Sequence, residues 1–195
     1  MAPLLLAVFD LDYTIWDPEM YQIHGPPSLV KEACSTVHNS SKRENCRSKS
    51  SLWTKTTNEG MIVADKSGTP ISIFDGAAHA LSEINRMKKL GTTIQAAVAS
   101  RTDEPDWARI CMKYLVVHDG ATLQSCFDHV EISFSDKKAH FKNLKHKTGI
   151  PYESMVFFDN EYWNISSVSS LGVRCFHTPD GMRRKDWEDA LKDFD

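Results

Sequence analysis

The sequence predicts an α/β protein, a three-layer α/β/α sandwich whose sheet is parallel and covered on both faces. Two observations predict it. Short, wholly apolar runs alternate with longer stretches whose apolar residues fall three or four apart. Each main apolar run also stops abruptly at an acidic or hydroxylated residue, as at FDLD, ASR and FFDN. In open parallel sheets, active sites gather at those carboxyl ends.

The first strand is LLLAVFD, Leu4 to Asp10. A continuous apolar run of this length suits a strand buried on both faces. Residues 25–66 then change character. The stretch HNSSKRENCRSKSSLWTKTTNEG is rich in Ser, Thr, Asn, Lys and Arg. It reads as a long surface excursion, with Trp53 anchoring it. Next, MIVADKSGTPISIF, Met61 to Phe74, carries two β-prone runs around Asp65–Gly68 and predicts a hairpin.

From here strands and helices alternate. Ala77, Leu81, Ile84, Met87 and Leu90 form one helical stripe, closed by Gly91. Ile94–Ala99 is a second buried strand, and Asp106–Leu115 a helix with Trp107, Ile110, Cys111 and Tyr114 on one face. Phe127–Ile132 is a short strand. Lys138–Lys147 is a helix ending before Gly149, and Met155–Phe158 a strand giving way to Asp159. A helix through Ser169, a strand at Gly172–His177 and a helix at Arg184–Phe194 complete the pattern. The 195 residues are expected to form one domain, 1–195, with a loop or small cap inserted at 25–74.

Composition narrows the function classes. Lys and Arg number 23 against 26 Asp and Glu, a formal net charge of -3, so no global bias toward nucleic acid exists. No run approaches the roughly 20 apolar residues that span a bilayer, and no basic segment precedes the first strand as in an export signal. A cytoplasmic, monomeric protein is expected. The five widely spaced cysteines, Cys34, Cys46, Cys111, Cys126 and Cys175, suggest reduced thiols.

Three motifs fall at strand ends. In FDLDYT, Asp10 and Asp12 are two residues apart after an apolar strand, so extended geometry points both carboxylates the same way. In AVASRT, Ser100 offers a hydroxyl to a phosphate oxygen, or simply caps a turn. In MVFFDNE, Asp159 follows another buried strand. Asp10 and Asp159 on neighbouring strand ends, with the Asp12 carbonyl, make a hard oxygen set of the type magnesium takes. Between these motifs, Lys137 or Lys138 places an ammonium beside them; the two are not separated by this reasoning.

FDLDYTIW, ASRT, HFKNLKHKTGIPYESMVFFDNE and NISSVSSLGVRCFHTPDGM together resemble the haloacid dehalogenase superfamily, in particular its eukaryotic magnesium-dependent phosphatases. The resemblance covers residues 4–20 and 71–190. It implies a Rossmann-like fold with a minimal cap and a Mg2+ cofactor. It further implies a phosphatase that hydrolyses phosphate monoesters through an aspartyl-phosphate. By the family pattern Asp10 is nucleophile and metal ligand. Asp12 is general acid and base and lends its carbonyl to the metal. Thr14 is a supporting hydroxyl, Ser100 and Arg101 contact substrate, Lys137 is the family lysine, and Asp159 is a metal ligand.

The sequence departs from that pattern in three places. Asn160 stands where a second Asp is usual, keeping an oxygen acceptor but losing a charge. Trp16-Asp17-Pro18 stands where the pattern has Trp-Pro. The 25–66 excursion is the third departure. It is expected at the site mouth, with Lys31, Lys42, Arg43, Arg47, Lys49 and Lys55 attracting acidic substrates. His24, His38 and His177 read as surface residues. The implied substrate is a phosphorylated small molecule or a phosphoprotein, phosphotyrosine and sugar phosphates included. A phosphotransferase or phosphomutase, or a non-catalytic phosphate-binding protein, are the alternatives.

Overall fold

The computed structural model describes residues 2–32 and 51–194. The expectations placed on Cys34, His38, Lys42, Arg43, Cys46, Arg47 and Lys49 lie outside the described residues.

In chain order the elements are β1 (Leu6–Phe9), β2 (Trp16–Asp17), β3 (Ser28–Lys31), β4 (Leu52–Trp53), β5 (Met61–Ala64) and β6 (Ser72–Phe74). Then come α1 (Asp75–Lys89), β7 (Gln95–Ser100), α2 (Pro105–Tyr114), α3 (Leu123–Cys126) and β8 (His129–Ile132). The chain ends with α4 (Lys137–Thr148), β9 (Met155–Asp159), α5 (Tyr162–Ser169), β10 (Arg174–His177) and α6 (Arg184–Lys192). The central sheet is parallel, in the order β10-β9-β1-β7-β8.

β1 lies at the middle of this sheet, and its alternation divides the core. Leu6 and Val8 share one apolar cluster with Phe141, Leu144 and Val168 from α4 and α5. Ala7 and Phe9 share the other with Leu81, Ile84, Met112 and Trp187 from α1, α2 and α6. Both faces of the strand are therefore buried, which is why its sequence shows no polar alternation. Phe9 pairs in register with Phe158 and Val98. One residue further on, Asp10 is brought beside the ends of β9 and β7.

The start of α4 is fixed by chemistry rather than by apolar pattern. The Asp136 side chain accepts the Ala139 N–H at 2.7 Å, capping the first turn. Gly149, at φ 71, closes the helix in the left-handed conformation. The buried residues Lys137, His140, Phe141 and Leu144 then fall on one stripe.

The 25–74 insertion differs from the sequence expectation. The turn at Asp65–Gly68 forms: the Asp65 N–H donates to Thr69 O at 3.0 Å and Ile71 N–H to Val63 O at 2.8 Å. The strands around it then separate. β5 pairs antiparallel with β3, whereas β6 lies between β2 and β4. The excursion is not all surface, either. Val63 and Ala64 are fully buried, and Leu29 and Trp53 pack against the larger cluster. The Trp53 indole N–H donates to Val116 O at 2.8 Å. Strands of two to four residues are too short to display a period, and their partners are distant in sequence.

Asp65 holds this insertion together. Its carboxylate accepts from the His24, Ser67 and Thr69 backbone N–H groups at 2.7, 2.9 and 2.8 Å, and from the Ser67 hydroxyl at 2.8 Å. The backbone donor of His24, with the other donors, holds the Asp65 carboxyl well below the usual carboxylate range.

Candidate active site

Asp10, Lys137 and Asp159 meet at the carboxyl ends of the central strands. The Asp10 N–H donates to Phe158 O at 3.0 Å, continuing the β1–β9 ladder. Lys137 Nζ lies 2.5 Å from Asp10 Oδ1, 2.6 Å from Ala99 O and 3.3 Å from Asp159 Oδ2. Lys137 is 3% exposed and Asp159 0%. Lys138, one residue on, is half-buried and off this stripe. The stripe of His140, Phe141 and Leu144, read back one turn, is the sequence signal that selects Lys137 over its neighbour.

Charge dictates the electrostatics. Burial alone pulls the Lys137 ammonium down, but the charges and hydrogen bonds of Asp10 and Asp159 outweigh it and hold it above the ordinary range. Burial, and then the charge of Asp10, push the Asp159 carboxyl up. Asp159 also accepts the Glu161 N–H on Oδ1 at 2.7 Å. The Asn164 side-chain amide lies 3.2 and 3.1 Å from its two oxygens.

Asp12 sits in a tight reversal after β1. The Thr14, Ile15 and Trp16 N–H groups all point at Leu11 O, at 3.2, 2.8 and 3.3 Å, and Tyr13 takes a left-handed φ of 53. The reversal swings the Trp16 indole back, so that Nε1 donates to Asp12 Oδ1 at 2.8 Å. Burial, then the Asp10 charge, pushes the Asp12 carboxyl up to about 7. A backbone hydrogen bond from Met20 also reaches this carboxyl.

Thr14 and Asn160 join two loops. The buried Thr14 hydroxyl accepts the Asn160 N–H at 3.0 Å and lies 3.5 Å from Asn160 Oδ1. The Asn160 carbonyl accepts from His177 Nε2 at 2.9 Å, which places the ring proton on that nitrogen. Thr14 thus braces the loop from behind, while Asn160 lines the cavity. Ser100 is buried at the end of β7, one residue before the cavity wall.

The cavity measures about 330 Å³. Asp10, Asp12, Arg101, Lys137, Asn160 and Glu161 line it, as do residues that sequence reasoning missed: Glu19, Tyr21, Thr102, Asp103, Phe134, Trp163 and Asn164. Tyr21, Phe134 and Trp163 are exposed aromatics, and their place in polar segments was the available signal. Among the described residues, none from 25–66 lines this wall. Of the residues expected at a basic mouth, the described Lys31 and Lys55 do not line this wall, which carries Glu19, Asp103, Glu161 and Arg101.

The donor set fits a hard divalent cation. Two buried carboxylates, Asp10 and Asp159, are offset by the single charge of Lys137, leaving an excess of negative charge in a nearly dry site. Among the described residues no group of three or more His, Cys, Asp or Glu side chains is placed to hold a metal ion without other donors. Two carboxylates supplemented by a carbonyl and water accord with magnesium, which retains several waters.

A sequence profile of the family described as Acid Phosphatase matches residues 3–195. The chain is 33% identical over 189 residues to magnesium-dependent phosphatase 1 of Homo sapiens, covering 97% of this chain and 86% of that protein. It is 29% identical over 170 residues to a HAD-like hydrolase superfamily protein of Schizosaccharomyces pombe, covering 86% and 81%. In fold it resembles the N-terminal part, containing a phosphatase domain, of a Bacteroides fragilis protein solved with magnesium. The TM-score is 0.56 at 15% identity, over 99% of this chain and 41% of that one.

Proposed function

This chain belongs to the acid phosphatase family of haloacid dehalogenase-like hydrolases, and from that membership we propose that it hydrolyses phosphate monoesters with Asp10 as nucleophile and magnesium as cofactor. The observation that carries the residue assignment is the buried Lys137 ammonium between Asp10 and Asp159, at the carboxyl ends of adjacent parallel strands.

An Asp10 carboxylate oxygen attacks phosphorus in line. The new O–P bond forms as the ester P–O bond breaks, and the departing alkoxide takes the proton from the Asp12 carboxyl. Asp12, now ionised, accepts a proton from water as that water attacks the aspartyl-phosphate. The Asp10–phosphorus bond breaks, releasing inorganic phosphate and restoring both carboxyls. Lys137 Nζ holds its positive charge against the phosphoryl oxygens throughout. Ser100 and Arg101 hold phosphate oxygens from the β7 end. Asp10, Asp159 and the Asp12 carbonyl would hold magnesium. When bound it supplies a Lewis acid that neutralises charge on the phosphoryl group.

The open cavity and its aromatic rim suit phosphotyrosine in proteins and sugar phosphates. No described helix is long and apolar enough to cross a membrane. We place the chain in a single domain whose insertion shapes substrate access and not the chemistry. The test is phosphate release from p-nitrophenyl phosphate with magnesium, with chelator, and with magnesium restored. Turnover that survives rigorous chelation defeats the proposal. Transfer of the phosphoryl group to an added alcohol at the expense of release would instead identify a phosphotransferase.

A further inference from the structure

Phe134 is a large apolar side chain left 68% exposed, and it packs into neither apolar cluster of the described core. Its ring lies under the guanidinium of Arg101, with Cζ 4.9 Å from the ring centroid. Both residues line the cavity that holds Asp10 and Lys137.

This juxtaposition is built by the sheet. Ser100 pairs in register with Ile132, and the Ser133 N–H donates to Ser100 O at 3.2 Å. Arg101 and Phe134 are therefore the residues immediately beyond the last backbone contacts between β7 and β8. The loop carrying Phe134 is fastened at both ends. The Ser133 hydroxyl bonds His140 Nε2 at 2.9 Å, and Asp136 caps the helix that delivers Lys137. A mobile aromatic would confer little order on a long arginine side chain. A fastened one removes rotamer freedom before substrate arrives.

We propose that Phe134 is a positioning residue for substrate binding: it holds the Arg101 guanidinium over the cavity, where it meets the phosphate group. The role rests on the hydrolase function proposed above. A fastened arginine engages the ground-state phosphate as much as the transition state, so its loss raises KM more than it lowers kcat. Exposed cation–π contacts support an effect of about two- to fivefold.

The experiment measures inorganic phosphate affinity by calorimetry, with magnesium present, alongside KM and kcat for p-nitrophenyl phosphate. The proteins are wild type, Phe134→Ala, Phe134→Leu, Phe134→Trp, Arg101→Ala and the double variant Phe134→Ala with Arg101→Ala. Phe134→Ala and Phe134→Leu should weaken phosphate binding and raise KM about two- to fivefold, while Phe134→Trp restores both. In the Arg101→Ala background, removing Phe134 should change neither. Full rescue by Phe134→Leu, or an undiminished Phe134→Ala effect without Arg101, overturns the proposal. Wild-type turnover with phosphate binding indifferent to Phe134 defeats this role alone. Phosphate binding that depends on Phe134, in a protein that turns over no monoester, defeats the hydrolase assignment alone.

Discussion

Lys137 Nζ and Asp10 Oδ1 stand 2.5 Å apart, with the ammonium almost wholly removed from solvent. Removing one partner of a buried pair strands the other charges. Lys137→Met should therefore destabilise the metal-free protein by about 3–5 kcal/mol in urea unfolding. It should also lower kcat/KM by roughly a hundred- to a thousandfold, because the lost charge faces the phosphoryl group. Unchanged kcat/KM would remove Lys137 from the reaction.

Asp10→Asn keeps the shape and an oxygen for Lys137 but abolishes the proposed nucleophile. Turnover should fall by at least about a thousandfold, with the unfolding midpoint no lower than that of Lys137→Met. Loss of a nucleophile is not compensated by the groups around it. A folded Asp10→Asn protein with near wild-type turnover would show that another group attacks phosphorus.

Asp65 makes a prediction about stability and pH. Its folded carboxyl lies below the unfolded value, so its contribution is fully present above about pH 4, the unfolded carboxylate range. The contribution is lost as pH falls below that toward the folded pKa. Asp65→Ala should lower the urea midpoint at pH 7, and the gap from wild type should narrow between about pH 4 and pH 2. A gap that stays constant over that interval would show that the carboxylate's ionisation is not what holds the turn.

Residues 33–50 contain none of the proposed site residues. Replacing them with a short flexible linker should preserve magnesium-dependent turnover of p-nitrophenyl phosphate while changing the relative efficiencies for a sugar phosphate and a phosphopeptide. Equal relative efficiencies would remove the segment from substrate access. Deleting all of 25–66 is a different experiment, because it also takes away the buried Val63 and Ala64 and should unfold the protein.

The central sheet was legible in the sequence because its strands are buried on both faces, so LLLAVF and MVFF stand out as apolar runs. The site base was legible for the same reason, since Asp10, Ser100 and Asp159 mark where those runs stop. Lys137 needed the resemblance, or the stripe His140–Phe141–Leu144, to be told from Lys138. The insertion was not legible. β6 pairs with β2 and β4, and its partners Trp16 and Trp53 both meet Ile73 from distant segments in strands of two or three, so nothing local encodes the pairing. The rim escaped for another reason. Tyr21 lies in a short 3-10 turn, Phe134 in a loop and Trp163 in the first turn of α5, and only the folded chain brings them to one opening.

The central position of β1 sets the order in which the molecule comes apart. A strand hydrogen-bonded on both edges and covered on both faces opens only with the whole domain, whereas an exposed edge such as β3 has less to hold it. Asp10 is attached to the last part to yield. Partial fluctuations of the insertion therefore leave the distance between nucleophile, lysine and second carboxylate intact. The rim can be reshaped by substitution without loosening that arrangement.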